Sequence, residues 1–138
     1  MQKRFLTIVV AFMLCLCVGS ATLAEAWTNN AVITPMQASG DCWMSISGKT
    51  VTYSGSSLSA SIEDQISVSV CLLEYRNGTW CQVGPGVGKL NYNSDYAYAS
   101  AKYKVTGGYY YKVSAVHTSK TGSYSYSGTS ETSAVWIS

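Results

Sequence analysis

The sequence has few charged side chains. Only 12% of its 138 residues are Asp, Glu, Lys or Arg, about half the share found in ordinary soluble domains. It also has a single histidine, His117, which excludes a metal site built from several histidines. Because basic residues are scarce, the chain lacks the positive field that nucleic-acid binding requires, and we expect no nucleic-acid partner.

The first 26 residues have the features of a signal peptide. Two basic residues stand near the start, residues 5–19 form an apolar run, and an Ala-Glu-Ala cleavage signal ends the segment. The run is shorter than the ~20 residues that cross a bilayer. We therefore predict a signal peptide at residues 1–26 and a secreted, extracellular domain at residues 27–138, with no membrane insertion after cleavage.

The predicted mature chain is nearly neutral and rich in aromatic residues. Its 112 residues carry seven basic and six acidic side chains, a net charge of +1, with Arg76 as the one arginine. All 11 tyrosines and all four tryptophans lie in it. No internal repeat or linker divides this segment, and its length suits one modest hydrophobic core. We expect one domain.

Alternating side chains predict β-strands. Residues 66–72 place apolar side chains at every second position, which is typical of a strand with one buried face. Asn77-Gly78 follows, and this pair favours a type I′ hairpin turn because both of its central residues need positive φ. A return strand over residues 80–83 would set Tyr75 opposite Trp80 and Glu74 opposite Cys81.

Other short strands follow the same pattern. We predict them at residues 42–46, 50–53, 96–105, 109–117 and 134–137, with turns at 54–57 and 84–86 and a long hairpin over 119–133. Short strands at this spacing predict an all-β fold, a single antiparallel β-sandwich of about seven strands.

Three cysteines remain after residue 26, in a chain bound for an oxidising compartment where thiols tend to pair. Cys42 and Cys81 both alternate onto apolar faces, and we predict a disulfide between them. Cys71 is then left over, either buried and inert or free to link two chains into a dimer. Because no C-x-x-C spacing occurs, we expect no metal and no other cofactor.

One segment resembles a known family. Residues 105–115, VTGGYYYKVSA, resemble the sixth-strand motif of fibronectin type III and immunoglobulin-like domains, in which a tight turn precedes Tyr-x-Val-x-Ala. The resemblance implies that the Tyr111 hydroxyl bonds back to nearby backbone, and that residues 66–83 match the third and fourth strands. The whole pattern also resembles small secreted bacterial proteins of unknown function with such a sandwich.

Catalytic residues are few. Glu74 falls on the apolar face, so either it stands at a strand end where solvent begins or it marks a cleft. A small secreted glycan hydrolase built around Glu74 is one alternative function. A Cys71 or Cys81 nucleophile with His117 as base is another arrangement to consider, although a histidine that only packs in the core explains the sequence equally. We expect no enzyme.

Aromatic residues are the most distinctive feature of the predicted mature chain. Four of them, Trp43, Tyr75, Trp80 and Tyr110, alternate away from the apolar faces. Either they are simply good strand formers over a thin core, or they contact a ligand. We predict a secreted, non-catalytic binding or structural module whose partner is an extracellular protein or a glycan surface. An antimicrobial or toxin-like protein is a further alternative, although a net charge of +1 gives little attraction to membranes.

Overall fold

The computed structural model describes residues 38–138, which form one antiparallel β-sheet of six strands. The strands are β1 (Ser39–Ser47), β2 (Thr50–Arg76), β3 (Thr79–Lys104), β4 (Tyr109–Thr121), β5 (Tyr124–Glu131) and β6 (Val135–Ile137). The predicted signal peptide and the start of the predicted mature chain lie outside the described residues. Within the described part, no helix has the length and apolar character needed to cross a membrane.

The β2–β3 hairpin confirms the predicted turn and register. Asn77 and Gly78 both have positive φ, 52° and 81°, as a type I′ turn requires. Tyr75 lies opposite Trp80, and Glu74 lies opposite Cys81. From this turn the hairpin extends much further than predicted, because β2 has 27 residues and β3 has 26.

A break in the β2–β3 register between Leu58 and Glu63 divides the sheet into two parts. In the narrow part, residues 50–58 of β2 pair with β1 on one side and with residues 96–104 of β3 on the other. In the wide part, residues 63–76 of β2 pair with residues 79–94 of β3 and with β4. Strands β5 and β6 then pair with β4.

The sheet curls so that its two parts share one core. Gly55 of the narrow part approaches the wide part so closely that a Cβ atom there would lie 2.9 Å from a Val70 methyl group. The predicted apolar face of residues 66–72 is buried, and so are Ala97 and Ala99 on the predicted strand 96–105. The buried apolar side chains are Ala38, Cys42, Val51, Tyr53, Ile66, Val68, Val70, Leu72, Ala97, Ala99, Val105, Tyr111, Val113, Ala115 and Ile137.

The two segments predicted as turns lie inside strands instead. Residues 54–57 are part of β2, paired on both sides, and residues 84–86 are part of β3. Their serine and glycine residues serve packing: the buried Ser57 hydroxyl donates a hydrogen bond to the Ser67 carbonyl, 2.7 Å away. The sheet therefore has fewer and longer strands than the seven predicted, because pairing with two neighbouring strands outweighs the local preference for a turn.

Candidate binding surface

Four aromatic residues form one row across the outer face of the wide part. The register sets Trp80 of β3 opposite Tyr75 of β2, Tyr75 opposite Tyr110 of β4, and Tyr110 opposite Trp136 of β6. Residues directly opposite each other share a face. We call Trp80, Tyr75, Tyr110 and Trp136 the aromatic row. Three of the four predicted ligand-binding residues therefore lie side by side.

The rings of the aromatic row pack against each other at steep angles. The Tyr75 and Trp80 ring centroids are 5.1 Å apart with planes tilted by 52°, and those of Tyr110 and Trp136 are 5.1 Å apart at 66°. Tyr75, Tyr110 and Trp136 are exposed, while Trp80 is half-buried. The Lys112 ammonium covers Trp80, 4.7 Å from its ring centroid. The row is an exposed, uneven aromatic surface whose rings support one another.

The cations beside the aromatic row are already paired. The Lys112 ammonium lies 2.8 Å from a Glu131 carboxylate oxygen. Arg76 lies 4.8 Å from the Tyr109 ring centroid, and its guanidinium bonds Glu74 at 2.5 Å. Arg76 and Glu74 alternate with Tyr75 along β2 and therefore lie on the opposite face from the aromatic row. On the face of the row itself, Lys112 is a cation whose charge is compensated.

Trp43, the fourth predicted binding residue, lies elsewhere. It stands on β1 opposite Ser54, on the outer face of the narrow part. Its ring stacks on Tyr98 with centroids 6.0 Å apart and planes only 25° apart. The structure thus contains two separate aromatic surfaces, and Trp43 belongs to the second.

Trp136 is the member of the row that sequence reasoning missed. Alternation in the predicted strand 134–137 sets it on the face opposite Ile137, which is buried. That signal was present in the sequence. Its place beside Tyr110, however, depends on β6 pairing with β4, and no local pattern encodes this pairing.

The predicted bridge between Cys42 and Cys81 does not form, and all three cysteines of the described chain are free. Cys42 is buried, opposite Gly55 in the narrow part, with its Sγ atom 3.7 Å from the Val113 carbonyl oxygen. Cys81 is exposed near the tip of the hairpin, opposite Glu74. Both residues sit on strands with an apolar face, but they lie on different parts of the sheet.

Cys71, expected either to be buried and inert or to link two chains, is half-buried. Its Sγ atom lies 3.6 Å from the Ser114 carbonyl oxygen. Burial raises the pKa of the thiol in both Cys71 and Cys42. Because the thiolate is the nucleophilic form, neither cysteine is activated in this state.

Glu74 is buried and fully engaged, which corrects the expectation of a carboxylate at the solvent boundary. It is 3% exposed. One carboxylate oxygen accepts a hydrogen bond from Arg76 at 2.8 Å, and the other lies 2.7 Å from the Tyr111 hydroxyl. A hydrolytic acid needs an oxygen that faces substrate. Glu74 offers none, because both of its oxygens bind side chains of the fold.

Tyr111 makes the backbone contact that the family resemblance implies. Its hydroxyl lies 2.5 Å from the carbonyl oxygen of Thr106, five residues earlier. The same hydroxyl also forms a hydrogen bond with the Glu74 carboxylate, so its one proton is shared between the two acceptors. Burial, and then the neighbouring Glu74 carboxylate, raises the pKa of Tyr111. The hydroxyl therefore remains protonated and holds the start of β4 to β2.

His117 is a buried residue between the two parts of the sheet. Its Nδ1 atom lies 2.9 Å from the Ser57 hydroxyl, and its Nε2 atom lies 2.8 Å from the Ser130 hydroxyl. Since Ser57 donates its own proton to Ser67, we assign the proton of the ring to Nδ1. Gly40 makes room for the ring, because a Cβ atom there would come within 2.0 Å of it.

This environment keeps His117 neutral and without a catalytic partner. Burial lowers the pKa of His117. Serine hydroxyls occupy both ring nitrogens, so neither Cys71 nor Cys81 takes the position of a nucleophile. Within residues 38–138, no three side chains of the metal-ligating types come together. His117 packs and bonds in the core.

Glu63 and Asp64 of β2, which follow the register break, form hydrogen bonds with residues at the end of β4. The Ser59 hydroxyl donates to Glu63 at 2.6 Å, and Thr121 donates to its other oxygen. These hydrogen bonds lower the pKa of Glu63. Asp64 accepts a bond from the Gly122 amide at 2.7 Å. The two acids hold the bend in β2 through these hydrogen bonds.

Comparisons with known proteins give no family. No family model matches the chain, and no curated protein matches it. The solution structure of CsgH from R. palustris is similar over 69% of this chain and 90% of that one, at 9% identity and a TM-score of 0.42. The crystal structure of Spo0M, a sporulation control protein from Bacillus subtilis, is similar over 72% and 49%, at 7% identity and a TM-score of 0.36.

Proposed function

We propose that this chain is a secreted, non-catalytic module that binds a protein partner through the aromatic row. The observation that carries the proposal is the continuous line of Trp80, Tyr75, Tyr110 and Trp136 across four strands. Tryptophan and tyrosine dominate the binding energy of protein interfaces, because they bury large rigid surfaces at a low cost in side-chain entropy.

Ring geometry favours a protein over a glycan at this row. A sugar ring stacks best on a flat aromatic face, whereas these rings are tilted by 52° and 66° within their pairs. The tilts create ridges and notches that suit interdigitating side chains. Lys112, paired with Glu131 on the same face, would contribute to a polar rim beside the aromatic centre.

The finer fold that we propose is a sandwich resembling immunoglobulin-like and fibronectin type III domains. The bends in β2 and β3 divide the chain before β6 into seven strand segments. The narrow part joins the first, second and fifth segments, and the wide part joins the fourth, third, sixth and seventh. An immunoglobulin sandwich groups its strands similarly, except that its fourth strand pairs with the fifth. The Tyr111 contact with Thr106 supports the same assignment.

Secretion is the second element of the proposal, and it rests on residues 1–26. We expect protein recovered from the culture medium to begin at Trp27. N-terminal sequencing and intact mass measure this directly. Protein retained in the cytoplasm with residues 1–26 attached would contradict it.

Binding is tested by capture of extracellular proteins from the source organism on immobilised protein, followed by affinity measurement with the purified captured partner. We expect Trp80→Ala or Tyr110→Ala to weaken the measured affinity about 30-fold, as substitutions at interface hot spots do. Tyr124→Ala is the matched control, because Tyr124 is 69% exposed and lies on β5, outside the row. Equal binding by all three variants would contradict the proposal.

A further inference from the structure

The outer face of the narrow part carries a second aromatic surface of different geometry. Trp43 and Tyr98 stack with planes 25° apart, so they present two nearly parallel rings. The Tyr98 hydroxyl lies 3.4 Å from the Ser54 hydroxyl, which bonds Ser100 at 2.8 Å. Ser54 is only 2% exposed although it lies on an outer face. The rings cover it, and the pair is fixed before any ligand arrives.

Hydroxyl groups and unpaired lysines continue from these rings along the same face. The next row of the sheet sets Ser45 opposite Thr52 and Thr52 opposite Lys102. The row after it ends in Lys104, and Lys49 stands in the adjoining turn. Both ion pairs found among residues 38–138 lie in the wide part.

The lysines therefore give this face a local positive charge. Asp41 is the acid of the face, and its carboxylate accepts a hydrogen bond from the Cys42 amide at 2.8 Å. It lies opposite Ser56, in the same row of the sheet as Tyr98 and two outer-face rows away from Lys102. Charge on this face is thus separated, with Asp41 in the row of Tyr98 and with Lys102 and Lys104 toward the other end.

We propose that this face binds an acidic polysaccharide, a chain of sugar rings that carries carboxylate or sulfate groups. One sugar ring stacks with its flat C–H face on the exposed face of the Trp43–Tyr98 pair, whose two rings hold each other nearly parallel. The acidic groups of neighbouring sugars reach Lys102 and Lys104. Tyr98 and Lys102 are four residues apart on β3, about 13 Å along a strand, so the ligand must be longer than one sugar.

This binding would be a further activity, separate from the protein-binding row on the wide part. The two surfaces differ in the features that decide ligand class. The row has tilted rings and a lysine paired with Glu131, whereas this face has parallel rings, a series of hydroxyl groups, and Lys102 and Lys104. Each surface consequently supplies control variants for the other.

The test is depletion of the purified protein by beads carrying alginate, polygalacturonate or hyaluronan, with dextran beads as the uncharged comparison. We expect saturable depletion on at least one acidic polysaccharide and none on dextran. Trp43→Ala should raise the apparent Kd at least ten-fold, whereas Trp80→Ala, which removes a tryptophan from the aromatic row, should leave it unchanged. Lys102→Gln with Lys104→Gln should weaken binding and flatten its salt dependence.

Three results would overturn the proposal. These are absence of depletion on all three acidic polysaccharides, equal depletion on dextran, and unchanged binding by Trp43→Ala, which would reduce the interaction to charge alone. Far-UV circular dichroism checks that each variant is folded. If Trp43→Ala unfolds, Lys102→Glu replaces it as the deciding variant, because Lys102 is exposed and its charge reversal should abolish binding.

Discussion

The two parts of the sheet contribute different side chains to one core. The wide part buries several large groups, among them Leu72, Tyr111 and Ile66, whereas the narrow part buries Tyr53 and Val51 beside the small Ala97 and Ala99. Large side chains supply most of the apolar area removed from water. Small ones let a second layer approach closely. The wide part is therefore the main source of stability, and the narrow part owes its closeness to small residues.

The largest expected effect tests this asymmetry directly. Leu72→Ala should lower the free energy of unfolding by about 2–5 kcal/mol, because it leaves a cavity at the centre of the wide part. Ala97→Gly in the narrow part should lower the free energy of unfolding by about 0.5–1 kcal/mol, because glycine loses more backbone freedom on folding than alanine does. Urea unfolding of both variants measures the difference. Equal losses would mean that the narrow part carries as much packing energy as the wide part.

The second comparison uses two fully buried tyrosines, one in each part. Tyr111→Phe should cost about 1.5–3 kcal/mol, because the hydroxyl bonds the Glu74 carboxylate as well as a carbonyl. Tyr53→Phe should cost about 0.5–1.5 kcal/mol, because its hydroxyl bonds the neutral Pro85 carbonyl. Thermal unfolding ranks the two, and the reverse order would contradict the assigned role of Glu74.

The third effect is a pH dependence at the junction of the two parts. Burial lowers the pKa of His117, so the unfolded chain takes up a proton before the folded chain does. The contribution of neutral His117 to the free energy of unfolding is fully present above the pKa of an unfolded histidine, about 6.5. It decreases as the pH drops below that value. Asp41 opposes this shift by favouring the charged ring.

His117→Gln is the variant that isolates this effect. Its stability should change less than that of the wild type between pH 7 and pH 5, values that bracket the reference pKa of about 6.5. A second decline should remain as the pH falls below about 4.3, the reference pKa of an unfolded glutamate, because the pKa of Glu63 is lowered in the folded state and the unfolded chain therefore takes up the proton first. Identical pH profiles for the two proteins would show that His117 does not couple folding to pH.

The smallest effects are expected at the two outer surfaces. Trp80→Ala and Trp43→Ala should each lower the unfolding free energy by about 1 kcal/mol or less, because each removes one partly exposed aromatic pair. Their losses should appear in binding instead. Differential scanning fluorimetry is sufficient for this measurement. A large loss of stability in either variant would assign that tryptophan to packing.

Local signals in the sequence account for what could be predicted. The Asn77-Gly78 turn sets the register of its hairpin, and alternation alone sets the outward faces of Tyr75, Trp80 and Tyr110. These features depend on residues close together in the chain. Alternation thus predicts three of the four residues of the aromatic row without knowledge of the strand order.

The remaining features depend on distant pairing. Gly55 appears as a turn residue in the sequence, yet it sits inside β2 because the curled sheet needs its missing side chain. The shared apolar character of their strand faces predicts a bridge between Cys42 and Cys81, but which strands meet determines the actual neighbours of each cysteine. Trp136 joins the row only because β6 pairs with β4. Sequence alternation identifies a face without identifying its neighbours.

The long β2–β3 hairpin also has a consequence for how the chain folds. Its paired residues range from three positions apart, at Arg76 and Thr79, to 54 apart, at Thr50 and Lys104. Hairpins close in about 1–10 μs, and short loops close at the lowest entropy cost. We expect pairing to begin at Asn77-Gly78 and to spread toward the narrow part. Substitutions near the turn should therefore slow folding, and those near Thr50 should mainly speed unfolding.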